Sequence, residues 1–237
     1  MKLSFLLLFL ISAVSCSKFN TKKQSNSNIV NEIMICANNF IGTPYDPNPI
    51  GEYVYRNTIV YDEKVDCMYF VFRCAEIALA KRDNKDPIEV ALDQRFRTRG
   101  ILDKENKVLN YQDRFDYADD MVTSDKWGDN VTNTIGKVSK ISGSRGVKEF
   151  EYIAIPDINF NNFQTGDIIF FVKAEDKRVV GEVLAHLGFI EIKKNKVYMI
   201  HASGLKRPDT DGKVKKVLLK EYLSQTKFIG IMVKRMR

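Results

Sequence analysis

Cys67 opens a long apolar segment, Cys67 to Lys81 (CMYFVFRCAEIALAK), directly after Asp66. At a helix start the unpaired N–H groups and the positive dipole end favour a thiolate over a thiol, so the position suits a nucleophile. A buried, purely structural helix-start cysteine is the other reading of Cys67 taken alone. The chain has only two histidines, His186 and His201. His186 begins the strand-like run HLGFIEI and His201 ends the run VYMIH, with Lys193 to Lys196 between them. A loop of two or four residues centred between Lys194 and Asn195 makes His186 face Ser203 and His201 face Gly188. Both imidazoles then project from one face of the sheet as diagonal neighbours, roughly 7–8 Å apart at the backbone. A loop of odd length would put them on opposite faces. One imidazole can accept the thiol proton while the other orients it, which is the nucleophile–base–orienter arrangement of covalent catalysis. One cysteine and two histidines could also hold zinc, but the close ligand pair of ordinary zinc motifs is missing. The residues point to acyl transfer by a cysteine, with no metal and no cofactor.

These side chains need a helix and a sheet to position them. Asn31 to Phe40 (NEIMICANNF) has helical apolar spacing and ends at Gly42-Thr43-Pro44. A turn-rich loop (PYDPNPIG) and a short strand candidate, Asn57 to Tyr61, come next. In the Cys67 helix, Phe70, Val71, Cys74, Ile77 and Ala78 share a face, and Asp66 is placed to cap it. Pro87 to Arg97 is a further helix with proline at its first position. Residues 100 to 165 read as short helices and irregular segments covering one side of a sheet. From Gly166 the pattern is β: Asp167–Lys173, His186–Ile192, Val197–Ala202, Lys213–Leu218 and Ile229–Arg235, with a helix over Leu219 to Gln225. Helices first and antiparallel strands afterwards predict an α+β domain over 29–237.

The 237 residues carry a net charge of +7, with 44% hydrophobic and 28% charged side chains. That composition fits one globular domain able to bury a core without staples. The charge favours an anionic partner, but no basic stripe interleaves with aromatics, so nucleic acid is not expected. The N-terminus has Lys2, an apolar run from Phe5 to Val14, then small residues. The run is too short for the roughly 30 Å core of a bilayer and fits an export signal over 1–15. Ala13-Val14-Ser15-Cys16 resembles a bacterial lipobox, with Ala13 in place of the usual Leu. That resemblance implies lipidation of Cys16, a membrane anchor, and a polar tether over 16–28. With Cys16 lipidated, Cys36, Cys67 and Cys74 remain, and an odd number in an oxidising compartment leaves at least one thiol. Cys36 and Cys74 either pair or sit buried as small apolar residues.

Five segments occur in a fixed order: Ile41-Gly42-Thr43-Pro44-Tyr45, Val65-Asp66-Cys67, Gly166-Asp167-Ile168-Ile169, His186-Leu187-Gly188-Phe189 and Ile200-His201-Ala202-Ser203. Together they resemble the NlpC-type papain-like cell-wall hydrolases, most closely the N-acetylmuramoyl-L-alanine amidase-like branch. The resemblance covers about residues 30 to 237. It implies a papain-like fold, N-terminal helices on an antiparallel sheet, with a long insert between the cysteine helix and the sheet. It implies Cys67 as nucleophile, His186 as general base and His201 as the residue orienting His186. Tyr45 matches a cleft tyrosine that can help hold an oxyanion, and Asp66 matches a residue of substrate binding or local geometry. Tyr111, Arg114 and Tyr117 of the insert are the candidates for polymer recognition, with a surface or packing role as the other reading of each. The chain departs from the pattern at Met68-Tyr69, where relatives carry Ser or Thr, and at Phe72, where the branch tends to be acidic. The implied partner is peptidoglycan or its muropeptide fragments. Three alternatives stand beside the amidase: an endopeptidase cutting between D-glutamate and the diamino acid, an acyltransferase, and a lipoprotein that binds glycan or peptide without cutting.

Overall fold

The computed structural model describes residues 28–204 and 211–237. The export segment, Cys16 and nearly all of the expected tether lie outside the described residues. Helix α1 covers residues 28–39, starting before the expected Asn31. A one-turn helix α2, Glu52–Tyr55, interrupts the following loop. Helix α3, Cys67–Asp83, begins where Asp66 accepts a hydrogen bond from the Tyr69 N–H at 2.7 Å, and ends at Asn84 in the left-handed conformation. The Asp66 cap satisfies one of the orphan donors of the first turn. Most of α3 is buried rather than a single stripe, including Tyr69–Phe72, Cys74–Glu76 and Ala78–Ala80. A helix apolar all round belongs between other elements. Cys74 forms a disulfide with Cys36 of α1, while Cys67 keeps its thiol. The pairing left open by the sequence is thereby settled for Cys36 and Cys74.

Helix α4, Pro87–Gln94, is capped by Asp86 and stops short of the expected Arg97. Arg95 just beyond it is turned inward. It forms a fork with Glu76 of α3, Nε–Oε1 2.5 Å and Nη2–Oε2 2.7 Å, and donates to Ile59 O at 2.7 Å. Both side chains are fully buried, with the Tyr69 ring 4.8 Å from the guanidinium carbon. Burial disfavours the Arg95 charge, and the Glu76 carboxylate more than offsets it, so the arginine stays charged. The expected strand at 57–61 is a single bridge, Thr58 to Lys107.

Helices α5 (Ala118–Thr123) and α6 (Thr132–Ile135) flank strand β1, Asp129–Asn130. Strands β2 (Gly136–Ser142) and β3 (Glu149–Ile158) form a hairpin, followed by β4 (Ile168–Val172), β5 (Leu184–Lys193), β6 (Lys196–Ser203) and β7 (Lys213–Leu218). Helix α7, Leu219–Gln225, precedes the last strand, β8, Gly230–Arg235. The strands make one antiparallel sheet in the order β2-β3-β8-β4-β5-β6-β7, with β1 also on β8. The α+β architecture with helices before an antiparallel sheet is as expected. Residues 100 to 165 are not: they supply β1 to β3 and extend the sheet beyond β8 instead of only covering it. The partner of β2 lies across the Gly143–Gly146 turn, and the anchor of the hairpin, β8, is at the far end of the chain.

The sheet has an apolar layer on each face. Phe70 of α3 meets Phe189 edge-on at 5.7 Å on one face, among Ile168, Phe170, Leu187 and Ile200. Ile169, Phe171, Ile190, Met199 and Val233 form the other layer with Leu219 and Leu223 of α7. No helix among the described residues is long and apolar enough to cross a membrane.

Candidate active site

The β5–β6 hairpin turns through Lys194 and Asn195, both with positive φ, so the loop has two residues. That is the geometry of the tight hairpin turn whose twist suits the strands. Its register, Phe189 opposite Ile200 and Lys193 opposite Lys196, puts both histidines on one face, as the even-loop reading requires. Their rings meet: His186 Nε2 lies 2.7 Å from His201 Nδ1. Gly188 leaves room for the second ring, because a Cβ there would fall 2.6 Å from Ile200 O and 3.0 Å from His201 Cβ.

His186 is half-buried and His201 is buried. Burial, then the positive charge of Lys215, lowers His186 to about 4. His201 is pushed lower still by burial, by His186 and by Lys215. Lys215 stands directly opposite His201 across β6 and β7. Both imidazoles are therefore neutral near pH 7, and one N–H must lie between them. With that proton on His186 Nε2, Nδ1 of His186 is an acceptor, as a base requires. His201 then carries its own proton on Nε2, which is buried with no hydrogen-bond partner among the described residues.

Aromatic side chains wall the pair. Phe171 stacks on His186 at 5.7 Å, Phe228 lies parallel to it at 6.5 Å, and Tyr222 of α7 stands edge-on to His201 at 5.2 Å. Tyr222 is pushed up to about 12 by burial, with its bond to Thr226 opposing and the negative charge of a Cys67 thiolate adding. Tyr222 thus lies within electrostatic reach of Cys67 while touching both histidines. Tyr45 reports on the same sulfur: burial, then Cys67, Asp66 and Asp46, hold its hydroxyl protonated far above the usual range. Tyr45 is placed by a parallel bridge to Val65, two residues before Cys67, and its N–H donates to Gly212 O at 2.7 Å. A Cβ on Gly204, the residue after Ser203, would collide with the Tyr45 ring. The start of α3 and the end of β6 therefore meet at Tyr45.

No protein-family model matches the chain, and no curated protein matches it. Solved structures do. An N-acetylmuramoyl-L-alanine amidase from Bacteroides uniformis is 18% identical, with a TM-score of 0.64, over 90% of this chain and 99% of that one. A putative xylanase from Bacteroides fragilis is 20% identical, with a TM-score of 0.63, over 85% and 99%. A Legionella pneumophila protein of the DUF1460 type is 17% identical, with a TM-score of 0.60, over 90% and 94%. What they share with this chain is the fold.

The structure brings His186 and His201 into contact, and it sets Tyr45 and Asp66 beside Cys67 at the start of α3. The three insert residues are elsewhere engaged. Tyr111 is buried between Tyr53 and Phe96 and donates its hydroxyl to Thr58 O at 2.5 Å. Arg114 pairs with Asp116 at 2.8 Å and donates to Tyr111 O. Tyr117 lies under the Arg145 guanidinium, whose Cζ is 4.3 Å from the ring centroid. Sequence reading missed Tyr222, Phe228 and Lys215. Only the Lys215 position carried a signal, since it follows from the strand register once β6 and β7 are paired.

Proposed function

We propose that the chain is an exported bacterial cysteine hydrolase of the NlpC-type papain-like class, cleaving an amide bond in peptidoglycan as an N-acetylmuramoyl-L-alanine amidase does. The observation that carries this reading is the 2.7 Å His186–His201 contact, polarised so that His186 Nδ1 is left as acceptor, beside a helix that begins with Cys67. Cys67 loses its proton to His186 Nδ1, and the thiolate attacks the amide carbonyl carbon. His201 accepts from Nε2–H of the resulting imidazolium and holds the ring in place. The tetrahedral oxyanion forms at the start of α3, where backbone N–H groups of the helix start and the Tyr45 hydroxyl are its donors. His186 passes its proton to the departing amine nitrogen, leaving a thioester. Water then gives a proton to His186 and its oxygen to the thioester carbon, releasing the carboxylate and restoring the thiol.

The Cys36–Cys74 disulfide supports folding in an oxidising compartment. Loss of Lys2 with the export segment leaves a charge of +6, which suits carboxylate-rich stem peptides, and a lipid on Cys16 would hold the protein at a membrane facing the cell envelope. A glycosidic reaction needs a carboxylic acid and a carboxylate presented to the sugar. The buried carboxylates beside Tyr45 accept from backbone N–H groups instead: Asp66 from Tyr69 N, and Asp46 from Asn48 N and Glu52 N. The amide reading therefore stands ahead of the glycosidic one. Digestion of purified peptidoglycan, with Cys67→Ala as control and mass spectrometry of the products, tests it. Intact stem peptides beginning with L-alanine, absent from the Cys67→Ala digest, are expected. Cuts within the stem peptide would replace the amidase by the endopeptidase, and no cleavage would remove the hydrolase.

A further inference from the structure

We propose that Asp119 is a positioning residue for His186, so that the insert acts on the candidate site through one buried carboxylate; the inference rests on His186 being the base. Strand β5 runs past the end of β6. Ser203, the last residue of β6, falls opposite His186 in the hairpin register, so residues 183 to 185 have no β6 beside them. On the other side the pairing with β4 slips: Phe171 faces His186 but Val172 faces Leu184. An irregular strand end of this kind re-aims the side chain next to it.

Asp119 of α5 takes the place of the missing strand. Its Oδ1 accepts from Leu184 N at 2.7 Å and its Oδ2 from Val183 N at 2.8 Å. The same Oδ2 accepts from the Ser144 hydroxyl at 2.8 Å, at the tip of the β2–β3 hairpin. Asp119 is 2% exposed, and Val183 and Leu184 are as deeply buried. Three hydrogen bonds onto one buried carboxylate fix the geometry of the groups that donate them. The hairpin tip is held in turn by Arg145 against Asp120 and by Arg178 donating to Ser142 O at 2.8 Å. The chain of contacts runs from hairpin to α5 to Val183, just before β5, and Leu184, its first residue, ending two positions before His186. None of these contacts touches the reacting atoms, which is why Asp119 positions rather than reacts.

The test uses the full chain carrying 15N-labelled histidine, whose spectrum has only two imidazoles to assign. Asp119→Asn keeps the shape but offers one acceptor where two N–H groups wait. Loss of the shared His186–His201 hydrogen bond in the ring-nitrogen signals is expected, with at least a tenfold fall in peptidoglycan turnover. Asp119→Glu keeps the charge and both acceptors but shifts them by a methylene; a smaller change of the same signals is expected, and it decides the matter if the Asn variant does not fold. A lowered melting temperature with unchanged ring-nitrogen signals in the folded variants overturns the proposal. If the unaltered chain cuts no peptidoglycan, the hydrolase reading fails, and the ring nitrogens still decide the role of Asp119.

Discussion

The Cys36–Cys74 disulfide ties α1 to the middle of α3, and its removal has a calculable effect. The linked residues are 38 apart in sequence. Closing a loop of that length removes about 4 kcal/mol of denatured-state freedom at 25 °C in the chain-entropy model. For a domain of this size each kcal/mol corresponds to roughly 2–4 °C of melting temperature, so the loss is about 8–16 °C. Both sulfurs are buried, so replacement by alanine also leaves small voids, whereas reduction leaves the sulfur atoms in place. Comparing the two separates cross-link from packing. The protein is prepared as Cys16→Ser, and unfolding by heat and by urea is followed by circular dichroism. The oxidised chain, the reduced chain and the Cys36→Ala/Cys74→Ala variant are compared. The chain-entropy argument predicts that reduced and doubly substituted proteins lose nearly the same stability. It also predicts one reactive thiol, Cys67, in the denatured oxidised protein. A melting temperature within about 2 °C of the oxidised chain in both cases would refute the reasoning. A loss confined to the alanine variant would assign the stabilisation to packing.

The histidine pair yields three further predictions. Because folding lowers His186 from 6.5 to about 4, unfolding takes up protons once the pH drops below 6.5; stability is full above that value and declines from 6.5 to about 4. Lys215→Glu removes one cause of the lowering, so both histidines should titrate higher in an NMR titration, more clearly at low salt. A downward or absent movement would show that Lys215 does not act on the pair. Gly188→Ala forces a methyl against Ile200 O and His201 Cβ, at a cost of about 1–3 kcal/mol. Its peptidoglycan turnover should fall at least tenfold, and an undiminished rate would contradict the role given to the His186–His201 contact.

Legibility in the sequence followed how local each decision was. Asp66 and the apolar run behind it specified α3 and its N-cap, because a cap is made between residues three apart. The His186–His201 face was readable because a two-residue turn fixes the register of the strands it joins, and alternation does the rest. Local apolar patterning placed β7 and α7. Other decisions belonged to the tertiary structure because their partners lie far apart in the chain. β3 joins the sheet through β8, and no nearby residue announces that pairing. Tyr111 has a surface-like polar handle in sequence, yet a carbonyl at Thr58 takes its hydroxyl and allows the ring to be buried. Cys36 meets Cys74 only because α1 packs on α3, and Asp119 meets β5 only because α5 reaches across the insert. By itself the sequence determined which residues could do the chemistry and on which local elements they stand. Tertiary structure alone decided what surrounds and holds them, since burial, ring contacts and the carboxylate beneath β5 arise between segments that only folding brings together.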